Sequence, residues 1–367
     1  MSLRVLVVDD TVVFRRIVAD ALIGVPGVEV VGTASNGRLA LVRMAALHPD
    51  LVTLDIEMPE MNGIEVLESM AATGVKAGVI MLSSLTVRGG EMTVRALELG
   101  AFDFLTKPED GNAEANLRHL RSRLLPMIRA FERRREIRAI LRGEARDSAP
   151  AEGLPVWPAL AAQLRPARAV RSAGPPMVQI GVSTGGPGAL ARLVPSLPGD
   201  LGAPVFIVQH MPALFTHPLA ASLDKKSALR VKEAQEGEVA QANCAYLAPG
   251  GRHMKLAAGT KGEIILRITD DPPENGCRPA VDYLFRSAAL HFPGRSVAAI
   301  LTGMGNDGTA GLRLLKRGGC FSIAQDEASC VVFGMPREAI AAGLIDTVAP
   351  LDRIAAAIVR SVREGAA

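Results

Sequence analysis

Aromatic residues and cysteines are scarce in this chain. Its 367 residues include one Trp, two Tyr and four Cys, and none of the Cys forms a CxxC pair. So few aromatic rings argue against a stacking platform for single-stranded nucleic acid. The isolated Cys argue against a zinc site or a redox dithiol, so we expect buried free thiols.

The chain also lacks long apolar runs and a strong charge of either sign. No segment approaches the roughly 18 uninterrupted apolar residues that a membrane span needs, and no signal peptide precedes the strand pattern that begins at residue 3. The net charge of +3 is too small to indicate nucleic-acid binding on its own. We therefore expect a cytoplasmic protein that is not embedded in a membrane and has no nucleic-acid partner. Its length predicts two domains, because domains average roughly 150 residues.

The first domain is predicted to span residues 1–122. There, short apolar runs rich in β-branched residues alternate with amphipathic stretches of helical length. The runs lie at 3–8, 28–33, 50–54, 78–82 and 101–105, and the stretches lie at 12–24, 37–47, 64–73 and 87–99. This alternation predicts an α/β domain with a doubly wound parallel sheet and helices on both faces.

Charged and hydroxyl side chains follow the predicted strands of this domain. They are Asp9 and Asp10 after the first strand, Asp55 at the third, Ser83 at the fourth and Lys107 at the fifth. Carboxylates this close repel one another, and a hard divalent cation such as Mg2+ would relieve the repulsion. The set fits phosphoryl transfer to a carboxylate, with Asp55 as the nucleophile and with Mg2+ and Lys107 neutralising the transferred charge.

Four strings in this domain resemble the receiver domain of response regulators, which has a flavodoxin-like fold. They are VVDD (7–10), LDIEMPEMNG (54–63), MLSSLT (81–86) and LTKP (105–108). The resemblance implies that a histidine kinase phosphorylates Asp55 and that Mg2+ is bound by Asp9, Asp10, Asp55 and the carbonyl of Glu57. It also implies a switch pair, Ser83 and Phe104, in which the phosphate draws the hydroxyl inward and the ring follows.

Residues 123–174 are predicted to be a linker. An Arg-studded helical pattern runs through 112–146, where Pro126 is expected to kink or divide the helix. Residues 147–175 are rich in Pro, Ala and Ser and show no clear period. We interpret the Arg residues as a solvated helix face that ends the first domain. A patch for nucleic acid or a membrane, or a dock for a receptor or a kinase, is the alternative.

The second domain, residues 175–367, is predicted to be a Rossmann-like α/β domain with the residues of a serine hydrolase at its strand ends. Ser183 lies in GVSTG, a G-x-S-x-G pattern between a strand and a helix whose free N–H groups would favour an oxyanion. His210 ends the apolar strand VFIVQH, and Asp307 lies in LTGMGNDG. They are predicted to act as nucleophile, base and orienting acid. Later strands are expected at 244–248, 263–268, 297–302 and 319–324.

A second histidine competes for the role of base. His253 follows the turn APGGR and is the main rival of His210. The order along the chain is Ser, His, Asp, whereas nucleophile-elbow hydrolases run Ser, acid, His. The elbow family is therefore disfavoured.

The strings GVSTGG, VQHMP, APGGRHM and LTGMGNDG, joined to a receiver domain, resemble chemotaxis receptor methylesterases. Members of that family hydrolyse glutamate methyl esters on methyl-accepting chemoreceptors, release methanol, and often deamidate glutamine at such sites. The resemblance carries the roles of nucleophile, base and acid to Ser183, His210 and Asp307. It also gives Thr184 a hydrogen bond within the site and assigns the backbone N–H of Met304 to the oxyanion. It implies no cofactor in this domain.

Two other functions stay open from the sequence. One is a receiver-regulated binding module without hydrolase activity, and the other is an esterase or amidase with a different class of substrate. If the second domain is a regulated hydrolase, we expect the unphosphorylated receiver to cover the sheet edge that carries Ser183. Phosphate at Asp55 would then open that edge.

Overall fold

The computed structural model describes residues 2–108, 112–141 and 175–366. The chain divides into two compact units, Met1–Arg135 and Glu136–Ala367, and each unit has its own parallel sheet. The predicted α/β fold with two such sheets is therefore confirmed. Residues 142–174, which hold the Pro-rich part of the predicted linker, lie outside the described ranges.

In the first unit, strands and helices alternate as predicted. They are β1 (Leu3–Val8), α1 (Val12–Leu22), β2 (Val28–Ala34), α2 (Gly37–Leu47), β3 (Leu51–Asp55), α3 (Gly63–Thr73), β4 (Gly78–Ser83), α4 (Val87–Glu98), β5 (Asp103–Thr106) and α5 (Ala113–Leu141). The strands run parallel in the order β2-β1-β3-β4-β5. β3 is buried along its whole length, because helices cover both faces of a parallel sheet.

The helix α5 continues through Pro126, so of the two expected effects, a kink or a division, the proline does not divide the helix. Packing offsets the lost hydrogen bond, since Leu124 and Ile128 on either side of the proline are buried. One turn further on, the ring of Phe131 packs edge-to-face on Phe102 at 5.3 Å. The helix also runs across the boundary predicted after residue 122.

The second unit contains a longer series of elements. They are β6 (Met177–Val182), α6 (Gly186–Leu193), β7 (Val205–Gln209), α7 (Ala213–Asp224), β8 (Arg230–Glu233), β9 (Cys244–Leu247), β10 (His253–Ala258), β11 (Ile264–Thr269), α8 (Val281–His291), β12 (Ser296–Ile300), α9 (Thr309–Arg317), β13 (Phe321–Gln325), α10 (Met335–Ala341), β14 (Thr347–Ala349) and α11 (Leu351–Ala366). Seven strands form one parallel sheet in the order β14-β13-β12-β6-β7-β9-β8.

An antiparallel hairpin, β10–β11, stands apart from this sheet. The strand predicted at 263–268 therefore belongs to the hairpin, and β8, β10 and β14 were not predicted. The inner face of the hairpin joins the hydrophobic core through Leu256 and Leu266, together with Phe285 of α8 and Phe206 and Tyr246 of the sheet. The hairpin and α8 thus cover one face of the sheet beside the ends of β6 and β12.

The course of the chain makes a topological switch point at β6. From β6 the chain continues to β7 on one side, and it later enters β12 on the other side. In open α/β sheets, ligands bind beyond the carboxyl ends of the strands at such a point. The residues that follow β6, β7 and β12 are therefore placed to form a site.

Candidate active site

The predicted catalytic residues follow three neighbouring strands. Ser183 comes directly after β6, His210 directly after β7, and Asp307 in the turn between β12 and α9. Val182 pairs with Gln209 in the sheet, so Ser183 and His210 leave the sheet side by side. The Ser183 N–H donates to the Thr302 carbonyl at 3.0 Å, which ties the serine to the segment that carries Asp307.

His210 and Asp307 form a buried hydrogen-bonded pair. His210 Nε2 lies 2.7 Å from Asp307 Oδ2, and the two side chains are 12% and 3% exposed. The backbone N–H of Val281 also donates to Oδ2, at 2.6 Å. Oδ1 accepts from Asn275 Nδ2 at 2.9 Å and from the N–H groups of Asp282 and Gly308 at 3.0 Å each. These hydrogen bonds hold both oxygens of the Asp307 carboxylate in position.

The environment shifts the pKa values of this pair in opposite directions. Burial disfavours the charged imidazole of His210, but the hydrogen bonds and charge interactions with Asp307 and Cys277 together outweigh burial and raise its pKa to about 9. Burial also disfavours the carboxylate of Asp307, but the hydrogen bond and charge of His210, together with the N–H groups of Val281 and Asp282, outweigh burial and lower the pKa of Asp307. Below pH 9 the pair is thus an imidazolium facing a carboxylate.

The other nitrogen of His210 faces a thiol. Cys277 Sγ lies 3.5 Å from His210 Nδ1. Among the described residues, no hydrogen bond joins Ser183 Oγ to His210. The structure therefore forms the contact between the predicted base and acid, and it leaves the contact between the predicted nucleophile and base unformed, as is common without substrate.

Glycine allows the loop after β12 to approach the nucleophile. A Cβ on Gly303 would lie 2.8 Å from Ser183 Cβ and 2.4 Å from Met335 Sδ, so a larger residue does not fit. Met304 is half-buried next to this glycine. Within the described part of the chain, its backbone N–H has no acceptor, so it is available to an oxyanion. The carbonyl of Thr184 accepts from Thr302 Oγ1 at 2.9 Å.

Two residues that the sequence did not single out hold the backbone of the site. Gln209 Nε2 donates to the carbonyls of Ser183 and His210, at 3.0 and 3.1 Å. Thr302 Oγ1 accepts from the N–H groups of Val331 and Val332 at 3.1 and 2.9 Å. In the sequence, the available signal for Gln209 and Thr302 was a polar residue at the end of an apolar strand run, close to the predicted site.

His253, the rival for the base, is a buried structural residue. Its Nε2 lies 3.0 Å from the Pro272 carbonyl, and its Nδ1 accepts from the Ala280 N–H at 3.3 Å. The ring stacks on Tyr283 with the centroids 4.3 Å apart. Because both nitrogens are bound to backbone groups, the ring cannot take a proton from a serine.

In the first unit, an acidic cluster lies at the carboxyl edge of the sheet. Val8 pairs with Leu54, so the next residues, Asp9 and Asp55, lie side by side. Lys107 Nζ bridges them, 2.7 Å from an oxygen of each. Burial raises the pKa of Asp55 to about 6, although Lys107 opposes it. Burial favours the neutral amine of Lys107, but the ion pairs with Asp55 and Asp9 outweigh burial and raise its pKa.

This cluster fits a hard divalent cation. One carboxylate oxygen from each of Asp9, Asp10 and Asp55 lies within 4.8 Å of the others, which is a ligand set suited to Mg2+. The side chain of Glu57 accepts from Ser84 Oγ at 2.9 Å.

The proposed switch residues lie on adjacent strands. Ser83 pairs with Thr106, and Phe104 lies two residues earlier on the same face of β5. Ser83 is fully buried, and its Oγ lies 2.8 Å from Thr93 Oγ1 of α4. The hydroxyl thus has a partner on α4.

Fold and sites together define a class of protein: a response regulator whose output domain carries the residues of a serine hydrolase. Residues 5–117 match the family model of the response regulator receiver domain, and residues 178–358 match that of the CheB methylesterase. A protein-glutamate methylesterase/protein-glutamine glutaminase of Desulfotalea psychrophila is 49% identical over 364 residues, which cover 99% of each chain. That of Bacillus subtilis is 41% identical over 370 residues, again covering 99% of each. This chain belongs to the family of receiver-linked CheB methylesterases.

A solved structure agrees with this membership. The second unit is similar to the crystal structure of the Thermotoga maritima CheB methylesterase catalytic domain, with 41% identity and a TM-score of 0.50. The match covers 51% of this chain and 99% of that one. Across the described residues, no helix is both long and apolar enough to span a bilayer.

Proposed function

We propose that this protein removes methyl groups from glutamate methyl esters on methyl-accepting chemoreceptors, and deamidates receptor glutamines, as part of chemotactic adaptation. Support comes from the similarity over the whole length to proteins named protein-glutamate methylesterase/protein-glutamine glutaminase. The observation that carries the proposal is the 2.7 Å contact between His210 and Asp307 at the strand ends next to Ser183.

In the proposed reaction, Ser183 is the nucleophile and His210 the base. Because Asp307 holds Nε2, the nitrogen that receives the serine proton is Nδ1. Ser183 Oγ bonds to the ester carbonyl carbon, the backbone N–H of Met304 stabilises the oxyanion, and His210 returns the proton to the departing methanol. For this step the Ser183 hydroxyl takes the place beside Nδ1 that the Cys277 thiol now holds.

The second half of the reaction repeats these roles with water. His210 takes a proton from a water molecule, the water oxygen bonds to the acyl carbon, and the proton returns to Ser183 as glutamate leaves. With a glutamine side chain, ammonia leaves in the first half in place of methanol. Asp307 stabilises the imidazolium in both halves and fixes the ring, while Thr184 supports the nucleophile's loop.

In the receiver unit, a histidine kinase is the proposed phosphodonor and Asp55 the acceptor. Asp9, Asp10, Asp55 and the Glu57 carbonyl would hold Mg2+, which supplies neutralisation of the phosphoryl charge when bound. Lys107 offers the second positive charge, since its ammonium already contacts Asp55. Ser83 and Phe104 are proposed to rearrange on phosphorylation, and this change is proposed to activate the hydrolase.

The test is methanol release from membranes that carry methylated receptors, measured for the full chain with and without a small phosphodonor. We expect the phosphodonor to raise the rate in the wild type and to have no effect in Asp55→Asn. The matched control is Asp20→Asn, at an exposed Asp of α1, which should respond like the wild type.

Three results would contradict parts of this proposal. Equal rates with and without the phosphodonor would remove the regulation. Hydrolysis of small esters without methanol release from receptors would indicate an esterase of another class. No hydrolysis of any ester, by folded and phosphorylated protein, would indicate a binding module.

A further inference from the structure

The segment between β11 and α8 brings side chains to the catalytic pair. Within it, Glu274 and Cys277 exchange backbone hydrogen bonds of 3.0 and 2.9 Å and close a tight turn. Asn275 and Gly276 inside the turn have left-handed backbones, with φ of +54° and +72°. We call residues 274–277 the acid-facing turn.

Asn275 reaches from this exposed turn to two buried carboxylates. Its Nδ2 lies 2.9 Å from Asp307 Oδ1 and 2.9 Å from Asp282 Oδ2. Both acids are 3% exposed. A side-chain amide has two N–H hydrogens, so one can be donated to each carboxylate. The same amide therefore serves the orienting acid and a second acid that the proposed chemistry does not use.

The two carboxylates are in conflict without such a donor. Burial raises the pKa of Asp282, and the charge of Asp307 raises it further, while the N–H of Gly311 opposes the shift with a 2.6 Å hydrogen bond. Buried carboxylates that face each other tend to share one proton. Asp307 would then lose part of the charge that stabilises the His210 imidazolium.

The acid-facing turn is held in place from both sides. Glu274 forms two 2.7 Å hydrogen bonds with the guanidinium of Arg286 on α8. The ring of His253 binds the backbone on either side of the turn, at Pro272 and at Ala280. The amide of Asn275 is therefore positioned by the fold and needs no rearrangement to reach the acids.

On the basis of the proposed function, we propose that Asn275 is a positioning residue of the hydrolase. It donates one amide hydrogen to Asp307 and the other to Asp282, and so keeps Asp307 ionised and directed at His210 Nε2. The titratable groups around His210 are Asp307 after β12, Cys277 in the acid-facing turn and, behind Asp307, Asp282 of α8. Glu274 is paired with Arg286. Loss of the amide leaves Asp282 protonated over a wider range of pH. Because the groups around His210 then carry less negative charge, the pKa of His210 falls.

The test is the variant Asn275→Gly in the full chain. Glycine adopts a left-handed backbone readily, so the change removes the amide and preserves the turn. The matched control is Asn243→Gly, because Asn243 is also left-handed (φ +63°) and its Oδ1 accepts from the Gly202 N–H at 2.7 Å, in another loop. Two quantities are measured: kcat/KM for methyl-ester hydrolysis against pH, and the NMR titration of His210.

For Asn275→Gly we expect kcat/KM to fall about 10- to 100-fold, the factor for a lost hydrogen bond to a charged group. We also expect the His210 titration midpoint to move to lower pH. Asn275→Asp, an isosteric change that adds a third acid, should lose at least as much activity. Asn243→Gly should leave the rate and the midpoint unchanged.

Wild-type activity in Asn275→Gly, or lost activity with an unmoved His210 midpoint, would overturn this proposal. The NMR titration needs no substrate. If the wild type releases no methanol, the proposed function fails, while the movement of the His210 midpoint still tests the role of Asn275.

Discussion

His210 presents Nε2 to Asp307 Oδ2 at 2.7 Å, and this contact leaves Nδ1 as the ring nitrogen that is not bound to the acid. In the proposed reaction, Nδ1 is therefore the nitrogen that accepts the proton of Ser183. Nδ1 now faces the Cys277 thiol at 3.5 Å. The structure thus aligns the proposed base with the proposed acid, and the proposed nucleophile has still to engage.

The first prediction concerns Asp307→Asn. The pKa of His210 is raised to about 9, and only the neutral imidazole is a base, so kcat/KM should rise as the pH increases towards 9. An amide cannot stabilise the imidazolium, so the pKa of His210 should fall and the rise should move to lower pH. We expect the maximal rate to fall about 100- to 10,000-fold.

The measurement is the pH profile of methyl-ester hydrolysis for Asp307→Asn. The control is Asp326→Asn, at another strand-end Asp of the same sheet, which caps the turn that begins after β13. It should keep the wild-type profile. A profile for Asp307→Asn with an unmoved midpoint would contradict the role of the acid.

The second prediction separates the two candidate bases. His210→Gln should abolish hydrolysis, because glutamine cannot act as a base. His253→Gln should retain it, because a glutamine amide can accept from the Ala280 N–H and donate to the Pro272 carbonyl. An imperfect fit should lower the free energy of unfolding by about 1–3 kcal/mol. Ester hydrolysis and urea unfolding of both variants check this, and the reverse pattern of activity would reassign the base to His253.

The third prediction concerns Mg2+ and pH in the receiver unit. The pKa of Asp55 is raised to about 6, so its carboxylate form is lost as the pH falls through 6. A metal ion binds the carboxylate and competes with the proton, so Mg2+ affinity should fall up to about tenfold per pH unit below 6. Calorimetric titration with Mg2+ between pH 5 and 8 measures this. Asp20→Asn should behave as the wild type, and a flat affinity across this range would refute the involvement of Asp55.

The fourth prediction concerns the hydroxyl pair of Ser83 and Thr93. Thr93→Val keeps the volume and removes the 2.8 Å contact with Ser83 Oγ, so Ser83 should be freer to turn towards a phosphate. We expect half-maximal activation at a phosphodonor concentration about two- to tenfold lower, given the usual worth of one hydrogen bond.

The control for this prediction is Thr73→Val. Thr73 Oγ1 also bonds a carbonyl four residues earlier, as Thr93 Oγ1 does, but it lies far along the chain from the switch. The Thr73→Val variant should respond to the phosphodonor like the wild type. An unchanged phosphodonor response in Thr93→Val would show that this contact does not restrain Ser83.

Much of the fold was predictable from the sequence, because its strands are short apolar runs with polar residues at their ends. β1, β3 and β4 were located to within one residue, and Asp9, Asp55 and Lys107 meet where parallel strand ends must meet. In the second unit, the same reasoning brought His210 and Asp307 to one edge of the sheet, after the two strands that flank β6. The apolar runs locate the strands, and the parallel direction of the strands places the residues that follow them at one edge of the sheet.

Other features depend on contacts between distant segments, which periodicity does not contain. The strands β8 and β14 have only four and three residues, and β10–β11 was not distinguishable from strands of the main sheet. Asn275 and Cys277 lie in a loop with no strand or helix signal. Asn275 is 32 residues from Asp307 in the sequence, and Cys277 is 67 residues from His210. The continuity of α5 through Pro126 also depends on the packing of the neighbouring residues, which the sequence does not show.

The most direct test of the proposed hydrolase is methanol release by Ser183→Ala, compared with the wild type on the same methylated receptors. We expect Ser183→Ala to lose at least about 1,000-fold in rate with the same thermal unfolding temperature, while Ser196→Ala, at an exposed serine of the same unit, keeps the wild-type rate. Methanol release by folded Ser183→Ala at the wild-type rate would contradict the proposal.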